Sequence, residues 1–185
     1  MQVQIPEPWI SFLRDVDKAL KEPVEVHCLG GFALSVLYGL PRPTGDVDFI
    51  VIEPATASTD LIEIAGEESE IGRRHSLHFH RASVAEYPEG YKARLTDITP
   101  KDFRKLRLSA LEVHDIVLAK VARNSARDRA DVEFLADKGV LNRNLLKERF
   151  ENELRPYLQK EEPGVETMQL WLEVILGEAR ERERR

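Results

Sequence analysis

Apolar residues recur at helical spacing from the start of the chain. Trp9, Ile10, Phe12, Leu13, Val16 and Leu20 share a face, with Pro6 and Pro8 before them and Pro23 after. They predict a first helix that packs on a sheet. The period then changes: Val24, Val26, Cys28 and Leu29 read as a short strand, followed by Gly30-Gly31 and an apolar helix from Phe32 to Tyr38. Asp46-Val47-Asp48 opens the next strand, whose run Phe49-Ile50-Val51-Ile52 has the β-branched character of a buried strand. Residues 53–60 read as a loop in which Thr59 or Asp60 caps a helix over 61–66. A strand is expected over 76–80 and 83–84, another over 92–98, and a short helical turn from Thr99-Pro100. Residues 106–113 read as a strand, and from Asp115 the pattern turns helical. Helices are expected over 115–123, around Val132–Leu135, over 142–158 and over 165–180, with a charged turn at 161–164 and a fraying end at 180–185. The pattern predicts an α+β protein: an α/β lobe over 1–113 and a helical C-terminal lobe over 114–185.

Composition narrows this further. Hydrophobic content of 42% and charged content of 32% over 185 residues describe a globular chain able to bury a core. Charged residues interrupt every apolar run before membrane-spanning length. The opening MQVQIPEPW lacks the basic and apolar regions of a signal peptide. The single cysteine, Cys28, fits a reducing cytoplasm, which is the expected location. A net charge of −6 argues against a general nucleic-acid binder. Basic islands remain at Arg73-Arg74-His75, at Arg104-Lys105-x-Arg107 and from Arg123 to Arg129, the first two reading as solvated faces.

The candidate chemistry lies in residues 29–51. Asp46 and Asp48 are two apart on a strand, so alternation throws both carboxylates to one face. Two like charges that close repel unless a cation lies between them. Hard oxygen ligands of this kind suit Mg²⁺, held by one or two carboxylates plus substrate phosphates. Fifteen residues earlier, Gly30-Gly31 joins a strand to a helix N-terminus, where unpaired backbone N–H groups face an anion with no side chain in the way. A glycine pair before a helix is weak alone; its pairing with Asp46-x-Asp48, with Arg42 and Thr44 between, is far more specific.

This constellation resembles the nucleotidyltransferase superfamily of the DNA polymerase β type, whose pattern is a Gly-Gly or Gly-Ser turn, a helix, then Asp-x-Asp on the next strand. The form GGFA with Arg42-Pro-Thr44-x-Asp46-Val-Asp48-Phe looks like the AbiEii-related branch, the toxins of type IV toxin–antitoxin systems. A second block is similar to that branch's later motifs: Lys120 and Arg123 on a helix, followed by Arg127-Asp128 and Asp131. The resemblance covers roughly residues 24–140. It implies a small mixed β-sheet flanked by helices, then a helical lobe. It also implies Mg²⁺ (or Mn²⁺) on Asp46 and Asp48, and an NTP substrate cradled by Gly30 and Gly31, with Ser35 as a helper. Arg42 would stabilise developing charge, Lys120 would contact the triphosphate, and an RNA or protein hydroxyl would accept the nucleotide. An antitoxin protein is an implied partner; a membrane is not.

Several roles stay open at this level. Arg42 stands between two prolines that stiffen its loop, and Thr44 is expected to bond to backbone or to Asp46. Lys120 read alone is a lysine snorkelling from an apolar helix. Asp128 and Asp131 can orient Lys120 or Arg123 by salt bridges, or cap a helix start. His78 and His80 share a strand face, with His75 elsewhere, and read as polar residues of a half-exposed strand. Polymerase-like members carry a third carboxylate on a neighbouring strand. The natural place here, Leu77–His80, holds no acid, and Glu86 and Asp97 are the substitutes. An enzyme, a nucleotide-binding protein without turnover and an interaction module that docks a partner on its helical lobe are the three readings this leaves.

Overall fold

Trp9, Phe12, Leu13 and Val16 are buried along one side of α1 (Trp9–Ala19), the stripe that the spacing predicts. The structure is a computed structural model that describes residues 3–82, 86–158 and 174. The strand end expected at 83–84, the turn at 161–164, the helix over 165–180 and the terminal run to 185 lie outside the described residues. The chain divides into two units, one of Met1–Ser83 with Leu95–Leu111, the other of Val84–Arg94 with Glu112–Arg185.

The first unit holds a mixed five-stranded sheet flanked by helices. Its strands are β1 (Val24–Cys28), β2 (Asp46–Glu53), β3 (His78–Arg81), β4 (Thr96–Asp97) and β5 (Leu106–Ala110), in the order β3-β2-β1-β5-β4. β1 runs antiparallel to β2 and parallel to β5, while β2 and β3 are parallel. The helix α2 (Gly30–Tyr38) carries the chain from β1 to β2, and α3 (Ser58–Ala65) and α4 (Glu70–His75) carry it from β2 to β3. On one side of the sheet Phe49 and Phe79 meet edge to face at 6.2 Å, and Phe12 of α1 reaches Phe79 at 5.8 Å. Alternation along β2 therefore leaves Asp46 and Asp48 on the other side.

A buried carboxylate ties α1 to the far strand. Asp17 accepts the backbone N–H groups of Arg104, Lys105 and Leu106 at 3.0, 2.8 and 2.7 Å. These groups lie at the entry of β5, where a side chain from another element satisfies them.

Local expectations fail where tertiary contacts outweigh pattern. The helix expected over 61–66 begins at Ser58, after a 3₁₀ turn at Ala55–Ala57, and no side chain of Thr59 or Asp60 caps it. The helix α4 was invisible to apolar spacing because it is short and mostly polar; Ser69 caps it by accepting the Gly72 N–H at 2.8 Å. The first three residues of the expected strand over 92–98 instead end a 3₁₀ turn, Glu89–Arg94, and β4 is only two residues long. Pro100 opens a single turn where a short helical turn was expected, closed by Phe103 N–H to the Pro100 carbonyl at 3.1 Å.

The second unit is helical. Its α5 (Val113–Arg123), α6 (Ala126–Asp137) and α7 (Arg143–Arg149) precede a π-helical turn at Phe150–Leu154 and a 3₁₀ turn at Arg155–Tyr157. The helix expected over 142–158 is present but changes from α to π to 3₁₀ along its length, and Pro156 lies in its last turn. The helix expected from Asp115 starts at Val113, because Glu112 caps it through the His114 N–H at 3.1 Å. Ile116, Val117, Val121, Leu135, Leu146 and Phe150 supply the apolar interior. Among the described residues no helix is long and apolar enough to cross a membrane.

Candidate functional site

The two aspartates do not stand alone on their face. β2 and β3 pair in parallel with Asp46 opposite His78 and Asp48 opposite His80. The imidazole Nε2 of His78 lies 3.1 Å from Asp46 Oδ1, and Nδ1 of His80 lies 3.0 Å from Asp48 Oδ1. The side chains remain open to solvent to differing degrees, 40% for Asp46 and 20% for Asp48. The four form two Asp–His pairs, and among the described residues no three His, Cys, Asp or Glu groups converge into a ready metal cage. His78 and His80 are polar residues of a half-exposed strand, as read from the sequence, and each is paired with an aspartate of β2. A signal was present in the sequence, because His-x-His repeats the Asp-x-Asp period on the adjoining strand. His75 lies apart on α4, where its Nε2 is 2.9 Å from Asp15.

The glycine turn closes on the same carboxylates. Gly30 has φ +73°, and a Cβ there would fall 2.3 Å from Asp48 Oδ2. Only glycine both adopts that backbone and admits that oxygen. Leu29 N–H donates to the Asp48 carbonyl at 3.0 Å, which fastens the start of α2 to β2. A Cβ on Gly31 would fall 3.0 Å from one guanidinium nitrogen of Arg42 and 3.3 Å from the Thr44 methyl. Arg42 thus lies over the first turn of α2, and Thr44 Oγ1 accepts the Asp46 N–H at 3.3 Å. Ser35 donates to the Leu40 carbonyl at 3.0 Å, which commits its hydroxyl to the exit of α2 rather than its entry. Cys28 is fully buried; burial, with the Asp48 charge, pushes its thiol well above its usual range.

The two carboxylates are hard oxygen donors of the kind a divalent cation takes. Two carboxylates share one strand face, and a helix N-terminus stripped of side-chain bulk opens beside one of them. Of the two substitutes for a third acid, Asp97 does not join them. Asp97 is on β4, separated from β2 by β1 and β5, and it accepts the Thr99 N–H at 2.8 Å. Glu86 belongs to the second unit. A cavity of about 180 Å³ lined by Leu20, Val24, Ala57 and Ile64 opens at the start of β1, away from the glycine turn that follows its end.

The second block organises the helical unit. Lys120 is 4% exposed, and its Nζ lies 3.1 Å from Asp128 and 2.6 Å from Asp131. The expectation that Lys120 contacts a triphosphate is corrected accordingly: two buried carboxylates hold it inside this unit. Asp128 also takes Arg123 Nε at 2.8 Å and Nη2 at 2.6 Å, while exchanging bonds with Ser125 as a capping box for α6. Burial alone would raise the Asp128 carboxyl. Hydrogen bonds from Arg123 and Ser125 and the charge of Lys120 overturn this and hold it well below the carboxylate range.

A second buried ion cluster surrounds Asp115. Arg94 grips both its oxygens, through Nε at 2.9 Å and Nη2 at 3.0 Å, and Arg149 Nη1 lies 2.9 Å away. Arg94 continues to Glu153 at 2.7 Å, and Arg149 to Glu112. His114 Nδ1 lies 2.7 Å from Glu112, while its Nε2 accepts the Asn142 N–H at 2.8 Å. Burial would raise Glu112, but the hydrogen bonds from His114 and Arg149 lower it to about 2. A folded-state value below the unfolded one contributes stability at neutral pH that is lost as pH falls from about 4.5 toward about 2. With part of the side chain in water, the loss is about 2 kcal/mol. Urea titrations between pH 6 and pH 3 should show Glu112→Gln flattening the acid limb; an unchanged limb would remove Glu112 from the acid response.

Residues 11–176 match the family described as "Nucleotidyltransferase of unknown function (DUF6036)". Among solved structures, the chain is similar to a "putative nucleotidyltransferase from H. pylori", at 17% identity and a TM-score of 0.35, covering 93% of this chain and 95% of that one. It is also similar to JHP933 from Helicobacter pylori, at 13% identity and a TM-score of 0.31, covering 98% and 97%. Likeness this distant has no bearing on the site. No curated protein matches the chain.

Proposed function

The chain belongs to this nucleotidyltransferase family, and from that premise we propose that it transfers a nucleoside monophosphate from an NTP to a hydroxyl of RNA or protein. The observation that carries the reading is the contact of Asp48 with Gly30, which makes the carboxylate strand and the helix N-terminus one site. A divalent cation, Mg²⁺ or Mn²⁺, held by Asp46 and Asp48 supplies charge neutralisation at the triphosphate when bound. The backbone N–H groups after Gly30 and Gly31 receive phosphate oxygens, and the helix dipole favours their charge. Arg42, stationed over the same turn, opposes the negative charge that grows on the departing phosphates. Thr44 fixes the entry of β2 and with it the direction of Asp46. Transfer joins an acceptor oxygen to the α-phosphorus, breaks the α–β anhydride bond and releases pyrophosphate. The acceptor's proton leaves to solvent.

Lys120, Arg123, Asp128 and Asp131 enter this reading as positioning residues that shape the helical unit. The motif resemblance further favours a toxin of a type IV toxin–antitoxin pair, neutralised by a partner protein. The test is incubation of the purified chain with each α-³²P-labelled NTP, a divalent cation, and bacterial RNA and protein. Label that survives denaturing electrophoresis on one macromolecular class is the expected result. Bound NTP with no covalent label would overturn transfer and leave a nucleotide-binding protein without turnover.

A further inference from the structure

We propose that Tyr157 is a nucleotide acceptor carried by the chain itself, a phenol to which a second copy joins a nucleoside monophosphate. The inference rests on the nucleotidyl-transfer reading above and names a protein hydroxyl that this reaction can use. Of the four tyrosines in the sequence, Tyr91 is buried and Tyr38 and Tyr87 are half-buried, whereas Tyr157 is 59% exposed and open to another molecule. Its hydroxyl donates to Oε2 of Glu89, a side chain that is itself exposed. A hydroxyl and a carboxylate at hydrogen-bonding distance are the arrangement by which proteins activate a nucleophile.

Both members of the pair are held by one ion network. Glu89 opens the 3₁₀ turn Glu89–Arg94, and the next residue, Gly90, donates its N–H to Glu153 Oε2 at 3.1 Å. Arg94, at the end of that turn, binds both oxygens of Glu153, at 3.1 and 2.7 Å. Glu153 lies in the π-helical turn that leads, through the 3₁₀ turn Arg155–Tyr157, to the phenol. The segment that carries the base is thus fastened to the segment that carries the hydroxyl. Ser11 also donates to a carboxylate, Glu7 Oε1 at 2.7 Å. An aliphatic alcohol, however, gives up its proton far less readily than a phenol, whose ordinary pKa is about 10. In the transfer the phenol oxygen bonds to the α-phosphorus, the α–β anhydride bond breaks and pyrophosphate leaves. The phenolic proton passes to Glu89 and from there to solvent. The hydrogen bond to Glu89 raises the phenol above its usual range, so the proton stays on oxygen until the new bond forms.

The purified chain, incubated alone with each α-³²P-labelled NTP and Mg²⁺ or Mn²⁺, tests this. Label is expected on the chain, with tandem mass spectrometry placing the added nucleoside monophosphate on Tyr157. Tyr157→Phe should bring that label to background and leave untouched any transfer to bacterial RNA or protein. Glu89→Gln keeps an acceptor oxygen but cannot take the proton, so it should slow labelling of Tyr157 about 10²-fold. Mixing Tyr157→Phe with affinity-tagged Asp46→Asn/Asp48→Asn protein should label only the tagged chain, because one keeps the site and the other keeps the phenol. An unlabelled mixture would overturn transfer between copies. Label on bacterial RNA or protein with none on the chain, or label on the chain that persists in Tyr157→Phe, would overturn Tyr157 as acceptor and leave the transfer reading standing. No label on the chain or on any other macromolecule would overturn that reading and this inference with it.

Discussion

Asp46→Asn and Asp48→Asn should each lower nucleotide transfer by about 10²–10³-fold, and the double variant should leave no measurable label. Asparagine keeps the shape of the side chain and its place opposite a histidine, so the strand pairing persists. What it removes is the negative charge that balances a cation, and with it the neutralisation of the triphosphate. Both side chains are partly solvated, at 40% and 20%, so the stability cost stays within about 1 kcal/mol. A thermal melt beside the labelling assay separates the two effects. Transfer that survives the double variant would place the chemistry elsewhere on the chain.

The largest effect on stability is expected far from that pair in sequence. Asp115→Ala should destabilise the protein by about 3–5 kcal/mol, a large share of the total of a typical domain. Asp115 is fully buried, and its two oxygens serve both Arg94 and Arg149. Truncation leaves two guanidinium groups facing an empty site, with Glu153 and Glu112 as their remaining partners. Asp115→Asn keeps the volume and one acceptor oxygen, so it should cost less. Urea unfolding of the three proteins gives the order; a loss under about 1 kcal/mol for alanine would mean that water or the two glutamates replace the carboxylate. The same cluster fixes α5, on which Lys120 and Arg123 are carried.

The features legible in the sequence were those set by local geometry. The apolar stripe of α1, the strand–glycine–helix turn and the same-face placement of Asp46 and Asp48 follow from periods of 3.6 and 2, which need no knowledge of distant residues. Glycine at positions 30 and 31 was readable as a turn, though not that Gly30 is required by the Asp48 oxygen lying against it. The mixed sheet and the helical second unit followed from the same patterns and from the family's motifs. Pattern was least informative where polar residues form the interior. Arg94, Asp115 and Arg149 carry no pairing signal in a linear reading, whereas the spacing of Asp128 and Asp131 already offers salt bridges to Lys120 or Arg123; of the six all but Arg94 are buried, and all are paired with one another or with close neighbours.

The sequence by itself determined the elements and the candidate carboxylates, because alternation and helical spacing are properties of consecutive residues. Tertiary structure alone decided their partners. A parallel register between β2 and β3 brings residues thirty-two apart side by side and sets a histidine against each aspartate. Burial within α5 and α6 turns Lys120 from a free cation into the centre of an ion cluster, since a charge removed from water must find its opposite nearby.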